Sequence, residues 1–419
     1  MTQVSKQISV RILLPVILTC VASAIFAADQ PTADLKSLYE GHHWFQLRDA
    51  IGKAEALPLY RGAVAAAFDQ REEAEQYLGR VIAAAPASQK AAEARDILIA
   101  MQVRAGRYTQ AAMNMTEQME SSSGKTAAHE SGGMYDAIAK LPDMTVSYHG
   151  SPAQQYEMSD DRLSVPIVIN GMRADFLLDT DSDISVISES EATRLGLPVT
   201  AGKVRVSGEA GDQENGGRIV VAKNLVTGNI EFNNVAFIVV PDGQEPFVEL
   251  PAGKRGILGL PVLLGFRTLR WRPGGPIEIG FASAKEDLSR ANLCFDKDDP
   301  VTLAEFQERK IDLLLDTGAD ESELWSPFAK EFSTVISEYG MKDSKTVTGY
   351  TGSKDVDVVT LPEVQIEIAG FHAKLRSAPV FMKVAANSGN RYFGRVGMDV
   401  LRQSQTVTID FGAMTFTMK

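Results

Sequence analysis

The chain has 419 residues and a formal charge of −12 at pH 7, with 44% hydrophobic and 23% charged residues. That length accommodates two or three domains with proper cores, and the composition is ordinary for a folded protein. No basic stripe runs through the sequence, so nucleic acid is not an expected partner.

The N-terminus reads as a secretory signal over residues 1–27. Lys6 and Arg11 supply positive charge, and residues 12–21 are apolar apart from Pro15 and Thr19. Small residues follow, with Ala22-Ser23-Ala24 and Ala27 as candidate cleavage positions. The apolar stretch is shorter than the roughly 20 residues of a membrane-spanning helix. Export to the periplasm or the exterior is therefore expected, with no stable membrane span after cleavage. Cys20 follows Thr19, which fits a lipoprotein cleavage box poorly. Cleavage would leave Cys294 as the sole cysteine, which rules out an intramolecular disulfide. The histidines at 42, 43, 129, 149 and 372 are scattered without cysteine partners, so no metal site and no cofactor is expected.

Residues 32–118 are rich in Ala, Leu, Glu and Gln, with Pro58 and Pro86 between periodic segments, and read as helices. A weak repeat is visible: Leu59-Tyr60-Arg61-Gly62 opens one helix, and Ala74, Leu78 and Val81 form the inner stripe of the next. Gly106-Arg107-Tyr108 restarts the pattern. This resembles tetratricopeptide helix pairs and would suit a protein-partner surface, although a plain helical bundle fits as well. Residues 119–143, with Ser121-Ser122-Ser123-Gly124 and Ser131-Gly132-Gly133, read as a linker. From Met144 to Lys419 short runs of Val, Ile, Leu, Phe and Thr alternate with polar residues between turn signals, which is all-β patterning.

Two segments of that β region repeat each other. Phe176-Leu177-Leu178-Asp179-Thr180-Asp181-Ser182 aligns with Leu313-Leu314-Leu315-Asp316-Thr317-Gly318-Ala319, each ending the apolar second strand of a hairpin. A second landmark keeps register. Gly256-Ile257-Leu258-Gly259 answers Gly394-Arg395-Val396-Gly397, with Gly259 80 residues after Asp179 and Gly397 81 residues after Asp316. Closing strands follow both, at Thr268-Leu269-Arg270-Trp271 and Thr406-Val407-Thr408-Ile409. Three landmarks in register indicate duplication.

Over residues 144–419 these motifs resemble the pepsin and retropepsin superfamily of aspartic peptidases. The resemblance implies a multidomain α+β chain, in which a tetratricopeptide-like helical domain precedes an all-β bilobal acid-protease fold. The lobes would span 144–284 and 285–419. It also implies that Asp179 and Asp316 activate a water molecule to cut a polypeptide substrate. Two carboxyls in hydrogen-bonding range hold one proton between them, an idea the aspartic proteases themselves exemplify. Thr180 and Thr317 would tie the two loops together, and Ser182 would bond the outer oxygen of Asp179, with Ala319 at the matching place. Gly259 and Gly397 would let a buried turn pass behind each loop. Flaps are expected at 206–218 and 348–352.

The sequence departs from the family at several positions. Asp181 stands where glycine is usual, and Arg395 stands where an apolar residue is usual before Val396-Gly397. Asp320, Glu321 and Glu323 replace small or apolar residues. Asp181 is expected to misplace Asp179 or raise its pKa by repulsion. A degenerate peptide-binding pseudo-peptidase and a helical-repeat scaffold therefore remain alternatives.

Overall fold

Helices come first, then strands. The computed structural model describes residues 34–51, 57–121, 137–158, 162–198, 204–208, 211–349, 352–383 and 391–419. The expected signal peptide, Cys20, His129 and most of the expected linker lie outside the described residues. Helices α1 (Leu35–Glu40), α2 (Trp44–Ile51), α3 (Pro58–Ala67), α4 (Arg71–Ala84), α5 (Gln89–Arg104) and α6 (Tyr108–Ser121) form the N-terminal region. Pro58 begins α3, where a missing N–H costs nothing, and the Ser88 hydroxyl caps α5 by accepting from Ala91 N–H. A Cβ on Gly62 would lie 2.6 Å from Leu78 Cγ, so α3 and α4 approach closely only because this position is glycine. Helix α6 runs to Ser121, past the expected boundary at 118, and Ile138 and Leu141 of the expected linker are buried.

The strands follow in two series. The first comprises β1 (Thr145–Tyr148), β2 (Gln154–Glu157), β3 (Ser164–Ile169), β4 (Met172–Leu178), β5 (Ser185–Ser188), β6 (Val204–Gly208), β7 (Gly211–Thr227), β8 (Ile230–Val240), β9 (Gly256–Leu258), β10 (Thr268–Trp271) and β11 (Pro276–Ile279). The second comprises β12 (Leu293–Asp296), β13 (Asp299–Phe306), β14 (Arg309–Leu315), β15 (Glu323–Leu324), β16 (Met341–Gly349), β17 (Gly352–Ile368), β18 (Phe371–Val380), β19 (Gly394–Val396), β20 (Val407–Asp410) and β21 (Thr415–Met418). One sheet has the order β1-β8-β5-β9-β4-β3-β7-β6, and its β7–β8 pairing closes a six-strand ring. Another has the order β12-β13-β14-β19-β15-β18-β17-β16, closed by β13–β17. Closure satisfies backbone groups that an open edge would leave exposed. A third sheet, β2-β11-β10-β20-β21, joins the two series, with Leu269 opposite Ile409 and Trp271 opposite Val407.

The expected all-β texture needs one correction. Short helices α7 (Glu189–Arg194), α8 (Leu260–Phe266), α9 (Ser326–Glu331), α10 (Ser333–Tyr339) and α11 (Met398–Leu401) interrupt the strands. Pro261 and Pro327 sit in the first turns of α8 and α9, where fixed φ favours a helix start. The β3–β4 hairpin turns on Asn170 and Gly171, both at positive φ. The β13–β14 hairpin uses Gln307 and Glu308 at φ 49° and 62°, a strained pair with no glycine to announce it.

Strand alternation gives the first ring two apolar faces. Phe176, Leu178, Ile187 and Leu258 point into the main core. Leu177, Ile184, Val186 and Ile257 point the other way and pack against Ile99 and Val103 of α5 and Tyr108 and Met115 of α6. Polar bonds tie the helical region to the second series: Arg48 of α2 donates to Ala291 O at 2.7 Å, and Arg104 of α5 to Lys297 O at 2.6 Å. Among the described residues no helix is long and apolar enough to cross a membrane.

Candidate active site

Strands β4 and β14 each run directly into an Asp-Thr pair. Each ends beside a parallel partner: Leu178 pairs with Leu258 of β9, and Leu315 with Val396 of β19. The backbone continues the match, with Asp179 N–H donating to Leu258 O (3.1 Å) and Asp316 N–H to Val396 O (3.0 Å). Apolar side chains of both strands are buried in the core, so the loops have little freedom to shift.

The two loops meet. Thr180 Oγ1 donates to Leu315 O at 2.5 Å and accepts from Thr317 N–H at 3.1 Å. Reciprocally, Thr317 Oγ1 donates to Leu178 O at 2.9 Å and accepts from Thr180 N–H at 3.1 Å. Both threonines are buried, so these four bonds replace water that cannot reach them. The contact is close enough that a Cβ on Gly318 would lie 2.5 Å from the Asp179 carboxyl carbon. Glycine is therefore demanded at 318 by the approach of the opposite carboxylate.

Each carboxylate is held by its own loop. Asp181 N–H donates to Asp179 Oδ1 at 2.9 Å, and Gly318 N–H donates to Asp316 Oδ1 at 2.8 Å. Ala319 N–H adds a second donor to Asp316 at 3.0 Å. Asp181 thus fills the role of the glycine it replaces as far as its backbone is concerned, and the Asp179 loop is not displaced. Burial raises the Asp179 pKa to about 6, against the Asp181 N–H and Arg395, which lower it. Burial also pushes Asp316 well up, with the Asp179 charge next. The side chain of Asp181 is itself pushed well up, by burial first and then by Asp316 and Asp299.

Ser182 departs from expectation. Its hydroxyl donates to Ile184 O at 2.8 Å rather than to Asp179, because the carbonyl two residues on closes a local turn. At Gly259 and Gly397 the backbone is closely approached: Cβ atoms there would lie 2.4 Å from Ser182 O and 2.8 Å from Ala319 O. The β6–β7 and β16–β17 hairpins occupy the expected flap regions, and their tips at 209–210 and 350–351 lie outside the described residues.

Two features escaped sequence reasoning. Ser185 Oγ accepts from Gly259 N–H (3.1 Å) and Ser322 Oγ from Gly397 N–H (2.9 Å), pinning each inner turn to its loop. Their separation equals that of Thr180 and Thr317, so the duplicated register contained the signal. The second is ionic. Arg395 Nη1 lies 3.2 Å from Asp316 Oδ2, and its Nη2 lies 3.5 Å from Glu323 Oε2. Glu323 also accepts from Trp325 Nε1 at 2.9 Å and faces Lys345 at 3.9 Å.

Residues 165–262 match the family model for aspartyl proteases, which supports a hydrolase of that class. That stretch contains Asp179 and Gly259. Among solved structures, the chain is similar to a retropepsin-like aspartic protease from Rickettsia conorii, at 17% identity and a TM-score of 0.23. The alignment covers 32% of this chain and 92% of that one. No curated protein matches the chain.

Proposed function

We propose that the chain is an aspartic endopeptidase of bilobal, pepsin/retropepsin-like form, in which Asp179 and Asp316 activate one water molecule between two lobes. One observation carries this: the Asp179 carboxyl carbon lies 2.5 Å from where a Gly318 Cβ would stand, beside the loop that bears Asp316. Two buried carboxyls so placed cannot both ionise cheaply, and raised pKa values for both agree with a single retained proton. The ionised member takes a proton from water as its oxygen bonds to the scissile carbonyl carbon. The protonated member gives its proton to the carbonyl oxygen. Collapse of the resulting diol breaks the C–N bond, the nitrogen takes the proton held by the first carboxyl, and a diol hydroxyl returns one to the second.

The substrate is a polypeptide in extended form. The signal-like residues 1–27 would export the enzyme, which N-terminal sequencing of the mature chain would test. The central test is cleavage of an unfolded protein at mildly acid pH. Cleavage should be sensitive to pepstatin and lost in Asp316→Asn. Undiminished cleavage by that variant would overturn the proposal.

A further inference from the structure

We propose that Arg395 is a positioning residue that keeps Asp316 as the ionised member of the pair and leaves the retained proton on Asp179. This rests on the peptidase reading and adds to it a fixed division of labour: Asp316 as base, Asp179 as acid.

The asymmetry starts in the strands. Leu177 pairs with Ile257 in the first ring, and Leu314 pairs with Arg395 in the second. Ile257 and Arg395 therefore hold equivalent places, each two residues before the inner glycine. In the first ring that place is filled by an apolar side chain under α5 and α6. In the second it holds a guanidinium 3.2 Å from Asp316 Oδ2.

The donors around the two carboxylates are unequal. Asp316 receives Gly318 N–H, Ala319 N–H and a guanidinium at 3.2 Å, whereas Asp179 receives Asp181 N–H and the charge of the same Arg395, which also favours its ionised form. Burial opposes ionisation of both carboxyls, so it does not choose between them. Donors do, because a hydrogen bond to the charged form favours that form, and a cationic donor favours it most. The single negative charge of the pair belongs on Asp316.

Other charges face Asp316 as well. Asp179 and Asp181 lie across the loop contact, Glu323 lies on β15, and Lys345 on β16 reaches Glu323. Glu323 has two opposed effects. It orients Arg395 through the 3.5 Å contact, and its own charge works against an ionised Asp316. Trp325 N–H holds Glu323 in place, so the guanidinium is braced from behind.

Opposite variants supply the test, read by the pH dependence of kcat/KM and by NMR titration of 13C-carboxyl-labelled aspartate in the intact chain. Arg395→Met should move the acid limb, and the lower-titrating carboxyl of the pair, upward by about 1–3 pH units, the range an adjacent arginine imposes. Arg395→Lys should restore part of that displacement. Glu323→Gln keeps an acceptor for Trp325 and removes a negative charge, so it should move the same limb downward. A merely structural role for Arg395 would lower activity without shifts of opposite sign. Superimposable titrations in intact chain, Arg395→Met and Glu323→Gln overturn the proposal even if peptides are cut. Opposed NMR shifts without cleavage by any form would instead leave Arg395's role standing and remove the peptidase reading.

Discussion

The two rings share a strand order yet present opposite chemistry on the face beside their Asp loops. In the first, Leu177, Val186 and Ile257 make an apolar surface that α5 and α6 cover. In the second, the places of Val186 and Ile257 are taken by Glu323 and Arg395, tied to Asp316 and Lys345. The backbone hydrogen bonds behind the loops are nearly the same in both. Main-chain pairing therefore sets where the carboxylates sit, and the side chains two residues before each inner glycine set what surrounds them. A duplicated frame has been kept while its two faces diverged, one for packing and one for charge.

Several substitutions would break or sharpen that comparison. Asp179→Asn and Asp316→Asn should each lower kcat/KM by on the order of 10²–10⁴-fold, the usual contribution of acid–base groups, in assays with an unfolded protein substrate. Gly318→Ala puts a methyl onto the Asp179 carboxyl. It should reduce turnover by roughly 10²-fold through misplacement of the carboxylate, with a smaller loss of stability. Ile257→Arg copies the second ring into the first. It would bury an unpaired cation beneath α5 and α6, and chemical denaturation should show a loss of about 3 kcal/mol or more.

The smallest effect concerns pH. The Asp179 pKa is raised above its ordinary value of 3.8 to about 6, so the folded chain holds a proton that the unfolded chain releases between these values. Stability from this group is present below pH 3.8 and falls as pH rises through about 6. Asp179→Asn removes that dependence. Its melting temperature relative to the intact chain should rise between pH 4 and 7, and an unchanged difference across that range would speak against a raised pKa.

Much of the frame was legible because duplication supplies its own control. Apolar strand, Asp-Thr and inner glycine recur in register, and each has a backbone reason to do so. Asp181 was legible as a departure from the family's glycine, and at the matching Gly318 a Cβ would meet Asp179. What the residues alone did not disclose were choices among partners. Ser182 could serve Asp179 or the nearby Ile184 carbonyl, and the local turn wins. Arg395 stood out as a departure, but its pairing with Asp316 depends on strands far apart in sequence. The helical reading of residues 32–118 did not name the first ring as the surface that α5 and α6 cover. The glycine-free turn at Gln307 and Glu308 was invisible because strand pairing on both sides, not local preference, imposes it.

The most direct measurement is calorimetric titration of pepstatin against the intact chain, Asp179→Asn and Asp316→Asn. If both carboxylates grip one ligand hydroxyl, binding should weaken by a similar large factor in either variant. Full-strength binding by one variant and not the other would mean that the carboxylates serve separate clefts.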